Sequence, residues 1–106
     1  MDEYQALTQI GLRRSSIACY KELYEHGPAS AKELTVRLGK RSQSIVYESL
    51  HLLISRGFVT DYMDDLAGMV SLFSARPLEN VLPEHYAWQR LLLNELIRVQ
   101  QITPKR

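Results

Sequence analysis

A chain of 106 residues with 45% hydrophobic content can build one compact core but hardly two, so a single domain with at most a protruding element is expected. The formal net charge of +1 excludes the strongly basic composition of a general nucleic-acid coat; any nucleic-acid role must rest on a local patch. One cysteine, Cys19, excludes an internal disulfide framework, and neither a run of roughly 18 apolar residues nor a signal-peptide pattern is present, so a soluble cytoplasmic protein is expected.

The charge is unevenly placed. Residues 13–56 carry eight Lys/Arg against four Asp/Glu, whereas residues 57–75 carry Asp61, Asp64 and Asp65 and no base. Tyr4, Leu7 and Ile10, three apart, predict a short helix over 3–10 that Gly11 stops. A second helix is expected over 16–26, with Ile17, Tyr20, Leu23 and Tyr24 inward; Gly27 and Pro28 end it. Ser30 and Glu33 form the S-x-x-E pattern of a capping box, and Ala31, Leu34 and Leu38 form the buried stripe of a third helix. Gly39 closes that helix, Ser42 is the expected next N-cap, and Val46, Leu50, Leu53 and Ile54 recur at helical spacing up to Gly57. Two helices joined by a few residues around a glycine form a helix-turn-helix pattern.

Beyond Gly57 the period changes. The segments "FVTDYM" and "MVSLFSA" are rich in branched and aromatic residues and are separated by "DDLAG", which predicts a two-stranded hairpin, or wing. Pro77 and Pro83 then flank a short "LENVL" connection, and residues 84–101 read as a long final helix. Its Trp88, Leu91, Leu92, Leu93, Leu96, Ile97 and Val99 cover more than half the helical circumference, leaving Arg90, Asn94, Arg98 and Gln101 as a polar strip. One domain face cannot bury so wide an arc, so a second chain is expected on it, with Trp88, Leu92, Leu96 and Val99 as dimerisation residues. The expected fold is mainly α with a small β-hairpin: a winged helix-turn-helix over 1–82 and a dimerisation helix over 83–106.

A recognition helix held steeply by its predecessor projects its N-terminal half at the width of a DNA major groove. Lys40, Arg41, Ser42, Gln43, Ser44 and Tyr47 occupy that half or the turn before it. Arg pairs with guanine O6 and N7, Gln with adenine N6 and N7, and Ser or Tyr with phosphate or a thymine edge. Ser30, Lys32 and the positive end of the third helix are candidate backbone clamps. His26, His51 and His85 show no metal-ligand spacing, Cys19 reads as a packed thiol, and Asp64 and Asp65 read as turn residues. No phosphate loop or nucleophile motif occurs, so neither an enzyme nor a cofactor is expected.

At these residues the chain resembles the winged-helix domain of TrmB-type regulators, in the broader MarR-like superfamily. The likeness runs from "IGL" (10–12) through Tyr20 and Leu23 to "GPASAKEL" (27–34), Gly39, "VYESL" (46–50), "RGFV" (56–59) and "FSARPLENVL" (73–82). It implies a transcription regulator that binds operator DNA as a homodimer, with the helix from Ser42 as recognition helix. Three features depart from the family. The turn "GKRSQS" is one residue longer, the wing lacks the Arg or Lys that typically meets phosphate, and the sugar-sensing domain of longer members is not expected after Arg106. Control then falls to a protein partner, a small effector or the protein's own concentration. The alternative reading is a winged-helix interaction module of a larger assembly, using the acidic wing and the apolar final helix.

Overall fold

The computed structural model describes residues 4–39, 42–64, 66 and 68–102. A 3-10 helix (Gln5–Ile10) leads into α1 (Arg14–His26), α2 (Ala31–Arg37), α3 (Gln43–Ser55), strands β1 (Val59–Asp64) and β2 (Val70–Ala75), and α4 (Leu78–Ile102).

The apolar stripes of α1, α2 and α3 meet in one core. Tyr20, Leu23, Leu34, Val46, Leu50 and Leu53 are buried there, joined by Phe58, Val59 and Phe73 from the hairpin. Each such side chain contributes about 1.5–3 kcal/mol by leaving water. Tyr20 packs edge-on to Phe58, ring centroids 5.8 Å apart, an arrangement that suits the aromatic quadrupoles. Tyr24, expected inward, is instead 53% exposed and stacks on Tyr20 at the rim of the core.

Helix α1 starts at Arg14, two residues before the expected start. Arg13 is extended (φ −77°, ψ 158°) and its carbonyl accepts the Ile17 amide at 3.0 Å, so the turn closes without a side-chain cap. In α2, Ser30 Oγ accepts the Glu33 amide at 3.1 Å. The Glu33 carboxylate accepts from the same hydroxyl rather than returning to the Ser30 amide, so half of the expected capping box forms. Leu38 is half-buried at the end of α2 rather than fully in its stripe. Ser42 stands at the N-cap of α3 but makes no capping bond, its Oγ lying 2.6 Å from Ser44 Oγ instead.

The hairpin is antiparallel, with Val59 opposite Ala75 and Asp64 opposite Val70. One pairing was not legible in the sequence: Ala29 and Phe73 exchange amide bonds of 3.1 and 2.8 Å, which pins β2 to the segment between α1 and α2.

Residues 78–83 are helical, not a connection. The Pro77 carbonyl accepts the Asn80 and Val81 amides at 3.0 and 3.2 Å, starting α4 at Leu78, and the helix runs on through Pro83. Proline in the second turn deprives only one upstream carbonyl of its donor. Val81 is the buried residue of α4. Arg76 fixes the base of this helix: its Nη1 donates to the Gly57 carbonyl at 2.8 Å, and its guanidinium forks onto Glu84 at 3.0 and 2.9 Å. Beyond that anchor α4 leaves the core. The radius of gyration, 17.1 Å, exceeds the ~13 Å of a compact chain of this length, and the molecule measures 58 × 34 × 27 Å.

Candidate nucleic-acid interface

Helix α3 divides cleanly by face. Val46, Leu50 and Leu53 point into the core and Ser49 is buried beside them, while Gln43, Ser44, Tyr47, Glu48 and His51 are exposed. Tyr47 and His51, one turn apart, have ring centroids 6.4 Å apart and form the middle of the outward face. Gln43 opens the helix with its amide in solvent, whereas the Ser44 hydroxyl is engaged with Ser42. Ile45, 47% exposed, adds an apolar surface on the flank. Such a face offers one amide, one phenol, one imidazole and one apolar contact, a set suited to base edges and thymine methyls, together with the Glu48 carboxylate, which can accept from cytosine N4 but repels phosphate.

Lys40 and Arg41 lie outside the described residues. Ser30 is buried with its hydroxyl committed to the α2 cap, while Lys32 is exposed on the first turn of α2 beside Val36. The wing carries no base. Asp61 is exposed, and Asp64 accepts the Leu66 amide on its side chain at 3.0 Å and the Met69 amide on its carbonyl at 3.1 Å. Leu66 is fully exposed at the tip, with Met63 and Met69 beside it. Met69 sits at φ 64° after Gly68, a left-handed conformation unusual for a side-chain-bearing residue.

On α4, Trp88, Leu92, Leu96 and Val99 are 60%, 44%, 65% and 44% exposed, and Leu91, Leu93, Ile97 and Ile102 are exposed with them. A monomer rarely leaves a stripe this long uncovered. Where α4 leaves the core, a cleft of about 480 Å³ is lined by Ile10, Arg56, His85 and Trp88 among others. His85 Nε2 is buried without a hydrogen-bond partner among the described residues.

A second cleft, of about 530 Å³, escaped the sequence reading. It lies between the N-terminus of α1 and the flank of α3, and Arg13, Ser16, Ser49 and Arg56 are among its lining residues. The signal was the run Arg13-Arg14-Ser15-Ser16, of which the expected start at Ser16 left Arg14 and Ser15 outside the helix. No group of His, Cys, Asp and Glu able to hold a metal ion occurs among the described residues, and no helix there is long and apolar enough to cross a membrane.

A family model described as sugar-specific transcriptional regulator TrmB matches residues 7–77, from the 3-10 helix to the residue before α4. No curated protein sequence matches the chain. A transcriptional regulator from Thermotoga maritima superposes with a TM-score of 0.64 at 20% identity, over 93% of this chain and 69% of its own. MarR gives 0.61 at 16% identity, over 93% and 71%. The adhesin competence repressor of Streptococcus pyogenes gives 0.56 at 18% identity, over 94% and 74%. At these identities the likeness establishes the fold, a winged helix-turn-helix that is mainly helical with a two-stranded hairpin.

Proposed function

The chain belongs to the TrmB family of transcriptional regulators, and from that membership we propose that it binds operator DNA as a homodimer, with α3 in the major groove of each half-site. The observation that carries this reading is the outward face of α3, where Gln43, Tyr47 and His51 stand clear of a core that holds the opposite face. Gln43 reads a base, Tyr47 and Ser44 meet a base edge or phosphate, and Ser42 orients Ser44 through their shared hydrogen bond. Lys32, Lys40 and Arg41 supply phosphate contacts; at Ser30 the contact falls to the α2 amides, since its hydroxyl is occupied. Residues 1–82 form the DNA-binding unit. Residues 83–106 dimerise through Trp88, Leu92, Leu96 and Val99. Regulation of transcription, in the cytoplasm and without catalysis, follows from occupying the operator, and control by a small effector falls to the cleft beside His85 and Trp88.

A specific observation favours a second reading, a protein-interaction module. The wing presents Asp61, Asp64 and the fully exposed Leu66 without a base, a surface that DNA repels and a basic, apolar protein surface attracts.

Fluorescence anisotropy on random duplex DNA at low and moderate salt, with a Lys40/Arg41 double alanine variant alongside, separates the two. Binding that weakens steeply with salt and is lost in the variant supports the DNA reading. Absence of binding at low salt makes the interaction module the better account.

A further inference from the structure

We propose that the cleft between the N-terminus of α1 and the flank of α3 is a second DNA anchor, which seats a backbone phosphate beside the groove that α3 enters. The inference rests on the DNA-binding reading and adds residues that reading does not use.

Four observations converge on it. First, α1 is thirteen residues long and begins without a side-chain cap, which leaves its first-turn amides without a capping acceptor, and Arg13, Ser15 and Ser16 at that end line the cleft. Second, Ser16 and Ser49 line the cleft, are 1% and 4% exposed, and have hydroxyls with no hydrogen-bond partner among the described residues. A phosphate seated in the cleft would accept from these hydroxyls. Third, four described arginines, Arg13, Arg14, Arg56 and Arg90, make no ion pair with a carboxylate, and two of them, Arg13 and Arg56, line this cleft. Fourth, Arg56 is pre-positioned: Nη1 donates to the Ile10 carbonyl at 3.2 Å, and the guanidinium lies across Gly11. Gly11 has φ 91°, a conformation that favours glycine, and a Cβ there would stand 3.3 Å from Arg56 Nη1, so the guanidinium would have to shift by a few tenths of an ångström to admit one.

The cleft flanks the exposed face of α3, since Ile45 and Glu48 belong to its rim. A groove-bound α3 would therefore bring a sugar-phosphate strand against it. Glu48 is the acid among the lining residues and opposes a phosphate, so Glu48→Gln should tighten binding while the other substitutions loosen it.

The test compares Arg13→Ala, Ser16→Ala and Glu48→Gln with the wild type by anisotropy on random duplex and on a selected operator, across a salt series, with a thermal melt of each. Arg13→Ala should lose about tenfold on both DNAs and reduce the salt slope by about one. Ser16→Ala should lose about fivefold without lowering the melting temperature, because it deletes a hydroxyl that bonds nothing in the free protein. Unchanged affinity and slope in Arg13→Ala, with wild-type DNA binding intact, overturns the anchor and leaves the recognition reading standing. A loss confined to the operator would make Arg13 a base reader and also overturn it. If amide shifts around Ser16 respond to inorganic phosphate while Arg13→Ala binds DNA normally, the cleft is a free-anion site and the proposal fails. Wild-type protein that binds no duplex at all removes the recognition reading, and the anchor with it.

Discussion

Tyr20 is wholly buried yet ends in a hydroxyl, and the structure satisfies it by donation to the Arg76 carbonyl at 2.6 Å. Burial, with Tyr4 and Tyr24 nearby, raises its pKa from 10.0 to about 12. The unfolded chain therefore releases this proton first, and the folded state loses stability as pH rises between those values. The loss should approach about 2 kcal/mol, and Tyr20→Phe should abolish that slope while costing about 1 kcal/mol at neutral pH. Chemical denaturation of both proteins from pH 9 to 12 checks it; parallel curves would contradict it. On the recognition face, Gln43→Ala should cost about 1–3 kcal/mol on the operator and little on random duplex, whereas Lys32→Ala should weaken both alike. Equal losses for Gln43→Ala on the two DNAs would remove its base-reading role. At this scale the core was legible, because Ile17, Tyr20, Leu23, Leu34, Val46, Leu50 and Leu53 follow the helical period. Tyr24 and Ser42 were not, since what decides them is a rim stack and a hydroxyl pair, neither of which periodicity encodes.

The elements came out in the expected order, and their errors lie at ends and joints. Glycine and capping signals marked where α1, α2 and α3 stop. The start of α1 shifted because a backbone carbonyl, not a side chain, closes its first turn. The Ala29–Phe73 bridge was hidden because its partners lie 44 positions apart and Ala29 has no strand-like neighbours. Pro83 suggested a break, yet it falls in the second turn of α4, which the Arg76–Glu84 fork steadies. Glu84 is held below the usual carboxylate range by the hydrogen bond and charge of Arg76. The docking it supports is thus complete above its ordinary 4.5 and is lost as pH falls through the lowered value. Spin-label distances between α3 and α4 should broaden in Arg76→Ala at all pH values and in the wild type only in acid. An unaltered distribution in Arg76→Ala would show that the apolar packing of Leu78 and Val81 positions the helix without the fork.

For the whole molecule, the wide apolar arc and narrow polar strip of α4 already implied a helix that its own domain does not cover. The extended helix and its exposed leucines match that implication. Burying even four of these residues between two chains would contribute on the order of 6–12 kcal/mol before the cost of association, enough for a stable dimer. Leu92→Glu should therefore convert a particle of twice the 12.2 kDa chain mass into a monomer while the melting of the winged-helix core is unchanged. A mutant that stays dimeric in light scattering would move the interface off this face. The bases of the first three helices and the acids of the wing favour the proposed DNA surface on α1–α3 over the hairpin, with the proposed phosphate contacts at helix ends.

The most direct test of dimeric operator recognition by α3 is selection of bound sequences from a randomised duplex pool by the wild-type protein. Two α3 helices related by a twofold axis predict an inverted repeat whose half-sites lie one helical turn, about 10–10.5 base pairs, apart or a multiple of it. A pool that enriches no sequence, or one that converges on a single unrepeated site, would contradict the account.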